Sequence, residues 1–235
     1  MGHVGFELLA DSTAVLTLKG NDRLNVFDLE MREALIEALA AAGEHPDVRA
    51  LVLRADGPNF SAGADLREFG TAADPYEARW IRWRRDPWLP LWEMPCPTIA
   101  SLHGIAMGSG LEMALLCDIR ICTADTRLAL PETRLGMLPA ACGTQSLARA
   151  IGTARALPLV MSAAELAPEE ALRIGVVHCV AEDADDAALR AAARLAGLPG
   201  AGLAARALRA ASELPLAAGL EVERHAAALA LDGRR

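Results

Sequence analysis

Lysine is almost missing from this sequence. Lys19 is the only one among 23 Lys+Arg, set against 31 Asp+Glu, and the formal net charge is −8. A nucleic-acid-binding surface needs a basic footprint to displace counterions from phosphates, and this balance argues against one. Long apolar runs are lacking too. No window approaches the ~20 continuous apolar residues of a membrane span, because His103, Glu112 and Asp118 interrupt the most apolar stretch, Thr98 to Cys122. The N-terminus has no basic segment followed by an apolar one, so no secretory signal is expected and the chain reads as cytoplasmic. The cysteines (Cys96, Cys117, Cys122, Cys142, Cys179) lack zinc-site spacing, since Cys117 and Cys122 are followed by no second pair. Their apolar surroundings predict reduced, buried thiols and no metal. Aromatics are scarce at 4%, yet all four tryptophans fall between Trp80 and Trp92.

What is present is small and apolar. The chain is 53% hydrophobic and about a fifth of it is alanine, which favours helix over 235 residues, enough for one sizeable domain. Ser12–Lys19 alternates as a strand. Asp28 is placed to cap a helix running to Ala42 with Gly43 as its stop. Val48–Arg54 and Thr98–Leu102 read as strands, Leu111–Leu116 as a helix after a glycine-rich turn, and Ile119–Thr123 and Arg127–Leu130 as further short strands. Helix dominates from Gly143 onward, interrupted by a strand at Val176–Val180. Alternating strands and helices predict an α/β core with a helical C-terminal portion. The Gly70–Pro97 segment, with its tryptophans and arginines, reads either as local packing anchors or as a mobile wall over a ligand pocket.

Two turns carry chemistry. Asn59-Phe-Ser-Ala-Gly-Ala-Asp-Leu66 follows a strand, and its small residues let a ligand approach the backbone. Gly104-Ile-Ala-Met-Gly-Ser-Gly-Leu-Glu112 joins a strand to a helix, whose N-terminal N–H groups favour developing negative charge. Together they could supply two donors to one carbonyl oxygen, an oxyanion hole. Each has plainer readings. Ser109-x-x-Glu112 matches a capping box. A dinucleotide fingerprint fails at Met113, a nucleophile elbow fails at Met107 and Leu111, and no phosphate-loop Gly-Lys-Ser/Thr is present. A second carboxylate, Glu132, follows Pro131, and two glutamates near an oxyanion hole could handle a water and a proton between them. His103 beside the turn reads as a hydrogen-bonded structural histidine.

These motifs, in order, resemble the enoyl-CoA hydratase/isomerase (crotonase) superfamily over roughly residues 5–225. Phe60-Ser-Ala-Gly-Ala-Asp-Leu66 resembles the family's first oxyanion motif. His103-Gly-Ile-Ala-Met-Gly-Ser-Gly-Leu-Glu112 through Cys117-Asp-Ile-Arg120 resembles its second. Pro131-Glu132, Leu135-Gly-Met-Leu-Pro139 and Gly143-Thr-Gln145 then follow in family order. The resemblance implies an α/β fold, a ββα superhelical spiral over residues 1–180 with a C-terminal helical trimerisation region at 181–235. It implies a CoA thioester substrate, or one on a carrier protein, with no cofactor beyond it, and a homotrimer or dimer of trimers. By position, the N–H groups of Ala64 and Ser109 are the oxyanion donors. Ala62, Asp65, Leu66 and Gly108 belong to the substrate site, and Arg23 is a candidate phosphate contact or an exposed surface charge. Glu112 falls where the hydratases activate water and Glu132 where they handle the α-carbon proton. Retention of both glutamates, with Ala140 where dienoyl-CoA isomerases carry an acid, implies hydration of a 2-enoyl thioester. The alternatives are a crotonase-fold isomerase, decarboxylase or other acyl-thioester enzyme, and a non-catalytic oligomeric subunit of this fold.

Two departures from the family bear on this. Pro139-Ala-Ala-Cys-Gly-Thr144 replaces a glycine-rich segment, and its added Cβ atoms are expected to reshape or narrow the acyl pocket. The sequence given stops at Leu231-Asp-Gly-Arg-Arg235, before a final helix that in relatives helps cover the CoA nucleotide. The resemblance therefore implies weaker CoA binding or delivery by another carrier, with arginine taking the place of phosphate-binding lysines.

Overall fold

The computed structural model describes residues 3–20, 23–74, 76 and 86–232. Strands β1 (Val4–Leu8), β2 (Thr13–Leu18), β3 (Ala50–Ala55), β4 (Thr98–Leu102), β6 (Ile119–Thr123) and β8 (Cys179–Ala181) form one six-stranded sheet in the order β1-β2-β3-β4-β6-β8. Within this sheet, among the described residues, only the β1–β2 pair is antiparallel. A second, two-stranded sheet pairs β5 (Ile105–Met107) with β7 (Arg127–Ala129) in parallel. β5 lies within the expected glycine-rich turn. It is too short for a periodic signal, so only its partner fixes it.

Burial on both faces explains the near-continuous apolar strands. Ala14, Leu16 and Leu18 of β2 point to one face, packed with Leu51, Leu53, Ala100 and Leu102 against Met31, Leu35 and Leu39 of α1 (Leu29–Glu44). Val15, Val52, Ile99 and Ile121 point to the other face. There they meet Ala184, Ala188, Ala192 and Ala196, a stripe of alanines four apart on helix α7 (Ala184–Ala196) that brings its backbone close to the sheet.

Asp28 caps α1 as expected, its carboxylate accepting from Met31 N at 2.8 Å. The helix runs past Gly43 to Glu44, however. Gly43 meets no clash there, and the stop is His45, held extended ahead of Pro46. The expected strand at Val176–Val180 is displaced to Cys179–Ala181. The N–H groups of Val176 and Val177 instead donate back to Ala171 O and close helix α6 (Pro168–Ile174).

Three cysteines are buried, but Cys142 and Cys179 are exposed, which corrects the expectation of uniformly buried thiols. Cys179 sits on an edge strand and Cys142 at a loop-to-helix junction. Of the tryptophans, Trp80 and Trp83 lie outside the described residues. Trp88 packs edge-on against Phe27 with centroids 5.5 Å apart, and Trp92 Nε1 donates to Glu213. These two are packing anchors, and neither lines the cavity described below. Among the described residues, no helix is long and apolar enough to cross a membrane.

Candidate active site

The two small-residue turns are woven together rather than merely adjacent. Residues 61–64 act as an extra strand. Ser61 N donates to Ile105 O at 2.9 Å, Met107 N to Ser61 O at 3.0 Å, and Phe27 N to Gly63 O at 2.8 Å. The bridge between Phe27 and Ala64 uses Gly63 O and Asp65 N, so the N–H of Ala64 itself faces away from that pairing. Gly63 has φ +98°, and a Cβ on it would stand 3.1 Å from Ser109 N, so the two turns touch at that point.

Ser109 opens helix α3 (Ser109–Leu116), whose N-cap is Gly108 at φ +53°. The capping-box reading of Ser109 and Glu112 is thereby corrected, because the helix starts one residue too early for Ser109 to be the cap. Among the described residues, the N–H groups of Ala64 and Ser109 are spent on no backbone or side-chain hydrogen bond. At its other end α3 is closed by buried Arg120, which donates to Cys117 O at 2.6 Å and Leu115 O at 3.5 Å, a cation where the helix dipole is negative.

Both turns open on a cavity of about 640 Å³. Ala62, Ala64, Asp65, Leu66, Gly108, Ser109, Glu112 and Glu132 all line it. Arg23 does not. It is exposed, and its carbonyl accepts from Asn59 Nδ2 at 2.8 Å, while its neighbours Leu24 and Val26 reach the wall. Asp65 caps a 3-10 turn at Leu66–Glu68 and is gripped in a forked ion pair by Arg67, which holds its carboxyl below the usual range.

Glu112 is buried at 1% exposure on the inner face of α3. One of its oxygens, Oε1, accepts from Ala141 N at 2.9 Å and from Gly143 N at 2.8 Å. Those two N–H groups flank Cys142, which adopts φ +76° as the N-cap of α4 (Gly143–Ile151). A left-handed residue between two donors makes them converge on one anion. Burial, and then the charge of Glu132, push the Glu112 carboxyl up to about 7, against the pull of the two N–H groups and of the Ser109 hydroxyl. Glu132 opens a 3-10 turn (Glu132–Leu135) after Pro131, and burial raises its carboxyl as well. Its Oε2 is buried with no hydrogen-bond partner. Gly108 is close by, since a Cβ there would lie 3.1 Å from Glu132 Oε1.

Sequence reasoning missed the clasp at Ala141 and Gly143 and the apolar wall of Phe69, Leu135, Met137 and Leu138. Within the segment 139–144, residues 140–142 were legible only as a departure from a glycine-rich pattern. Its Ala140 and Ala141 line the cavity, as that departure implied. His103 Nε2 sits 3.0 Å from Gly57 O, in keeping with a structural role.

Comparison with known proteins gives this site a context. The family model described as Enoyl-CoA hydratase/isomerase matches residues 9–229. A probable enoyl-CoA hydratase of Bacillus subtilis is 38% identical over 171 residues, covering 72% of this chain and 66% of that protein. The peroxisomal bifunctional enzyme of Danio rerio is 37% identical over 83% of this chain but only 26% of its own length. The match thus spans less than two thirds of these curated relatives. Among solved structures, a putative enoyl-CoA hydratase from Streptomyces coelicolor superposes with a TM-score of 0.91 at 32% identity, covering 98% of this chain and 87% of that one. DspI of Pseudomonas aeruginosa superposes with a TM-score of 0.89 at 33% identity, covering 99% and 97%. The α/β crotonase fold expected from the motifs is the fold found, and its C-terminal helices fit the trimerisation region. The chain belongs to the enoyl-CoA hydratase/isomerase family.

Proposed function

We propose that this protein hydrates 2-enoyl thioesters, most simply those of CoA, and that Glu112, Glu132 and the N–H groups of Ala64 and Ser109 carry the reaction. The observation that carries the reading is that one buried and one half-buried carboxylate, both with raised proton affinity, share one cavity with two uncommitted N–H donors.

The thioester oxygen accepts from Ala64 N and Ser109 N, where α3 adds its positive end to the charge that develops on that oxygen. Oε1 of Glu112 is occupied by its clasp, which leaves Oε2 to take a proton from water as the hydroxyl adds to the β-carbon. A base poised near 7 suits this step at neutral pH. Glu132, whose burial favours the protonated form, gives its proton to the α-carbon. The proton gained by Glu112 returns to Glu132 before the next turnover, so the net reaction consumes one water. In the same reading, the C-terminal helices build a homotrimer or dimer of trimers, and no metal or further cofactor takes part.

The test is turnover of a panel of acyl thioesters followed by mass spectrometry. A gain of one water is expected, with Glu112→Gln and Glu132→Gln each slowed by roughly 10²-fold or more. Unchanged mass with a moved double bond replaces hydration by isomerisation, and near-wild-type rates in both variants overturn the mechanism.

A further inference from the structure

We infer that Ser61 is a positioning residue that sets the two oxyanion N–H groups relative to each other through its buried hydroxyl. The inference rests on the oxyanion hole proposed above and adds a residue that does not itself touch the substrate.

Ser61 has no exposed surface. Its hydroxyl donates to Asn25 O at 2.7 Å and accepts from Gly63 N at 3.1 Å. Its backbone pairs on both sides with β5, to Ile105 O and from Met107 N. One residue therefore ties the first turn to the strand that feeds the second. The second turn is braced against it as well, because a Cβ at Gly110 would lie 2.6 Å from Ser61 O and 2.8 Å from Ser61 Cβ.

The hydroxyl acts one residue before the donor. By holding Gly63 N it fixes the plane of the Ala62–Gly63 peptide. The positive φ of Gly63 then directs the Ala64 N–H to the cavity, and Gly63 itself rests against Ser109 N. The other end of the hydroxyl is no looser. Asn25, left-handed at φ +48° and buried, is locked by its own side chain to Gly20 N at 2.7 Å and to Asp56 O and Asn59 O at 2.8 Å each. A side-chain oxygen fixed between two rigid segments is suited to angular control of a donor pair, where small misplacements weaken stabilisation of the transition state more than binding.

The test compares Ser61→Ala and Ser61→Cys with the wild-type protein, with folding checked by circular dichroism. Two readouts are used: the split between kcat and KM, and the red shift of a bound conjugated dienoyl-CoA, which reports polarisation of its carbonyl. In Ser61→Ala, kcat is expected to fall about tenfold or more with KM changed less than about threefold, and the red shift to shrink. Ser61→Cys, nearly isosteric but a weaker hydrogen-bonding group, should lie between the two. If the alanine variant does not fold, the cysteine variant alone decides, and wild-type kcat and red shift in it overturn the inference. Turnover lost in Glu112→Gln but kept in Ser61→Ala overturns it while leaving the hydratase reading intact. A wild-type protein that neither turns over nor polarises any thioester overturns both.

Discussion

Gly143 N donates to Glu112 Oε1 at 2.8 Å, and a Cβ on Gly143 would stand 2.6 Å from that same oxygen. The donor and the space it needs come from one residue, so only glycine supplies both. Gly143→Ala is expected to push the carboxylate out of its clasp. Overpacking of this kind costs about 1–3 kcal/mol, and a carboxylate moved by a fraction of an ångström should slow turnover about 10- to 100-fold. Thermal melting and steady-state kinetics on an enoyl-CoA check both effects. Wild-type kinetics in the alanine variant would contradict the packing argument.

That relationship also marks the limit of what the sequence reveals. Asp28 as a cap and the strand Thr98–Leu102 follow from local chemistry, and the structure places them as read. Eight of the nine expected site residues line one cavity because each lies in or near a turn that follows a strand, where parallel sheets place their ligands. The clasp on Glu112 joins residues 29 and 31 positions apart, and no spacing rule reports such a pairing. Ser61 escaped notice for the same reason. A serine in a run of small residues looks like filler until its hydroxyl partners are known. Gly43 misled in the opposite direction, because glycine stops a helix only where the following chain turns away.

Stability should depend on pH through Glu112. Its carboxyl holds a proton up to about 7 in the folded protein, against an ordinary value near 4.5. Between those limits the folded state binds more protons than the unfolded state, so stability falls as pH rises. A shift of this size corresponds to about 3 kcal/mol lost once both states are ionised. Glu112→Gln keeps an oxygen for the two N–H donors but carries no charge. Its melting temperature should exceed that of the wild type at pH 8, with the difference shrinking towards pH 5, while its activity is lost. An advantage that does not grow between pH 5 and pH 8 would refute this account.

Cys142 carries backbone strain at the same clasp. It holds φ +76°, and its carbonyl accepts from Gln145 N at 2.9 Å and Ser146 N at 2.8 Å, so it cannot relax without releasing helix α4. A non-glycine residue in this region costs roughly 1–2 kcal/mol, and a β-branched one more. Cys142→Gly should therefore melt at or above the wild-type temperature with its activity retained. Cys142→Val should melt lower and turn over more slowly, because the flanking N–H groups of Ala141 and Gly143 move together. Equal kinetics and melting in the two variants would separate the strain from the site.

Arg209 provides a case where stability and chemistry part. From helix α8 (Ala201–Ala211) its guanidinium forks onto Asp118, at 2.7 and 2.5 Å, and donates to Trp92 O, Met94 O and Cys96 O at 2.6–3.1 Å. Asp118 in turn holds Thr98 N at 2.8 Å, at the start of β4. This network lies at the entry of β4 and beyond the C-terminal end of α3, whereas the cavity lies at the exit of β4 and the N-terminal end of α3. Removing one member of a buried pair costs about 3–5 kcal/mol, because the remaining charge and its neighbouring carbonyls lose their partner. Arg209→Met should lower the melting temperature by roughly 10 °C on that basis. Arg209→Lys should recover little, since an ammonium cannot reproduce the fork. Well below the melting transition, kcat and KM of both variants should stay within about twofold of wild type, because the chemistry depends on the opposite ends of β4 and α3. A large fall in kcat at such temperatures would mean that the clamp at one end of α3 sets the position of Ser109 and Glu112 at the other.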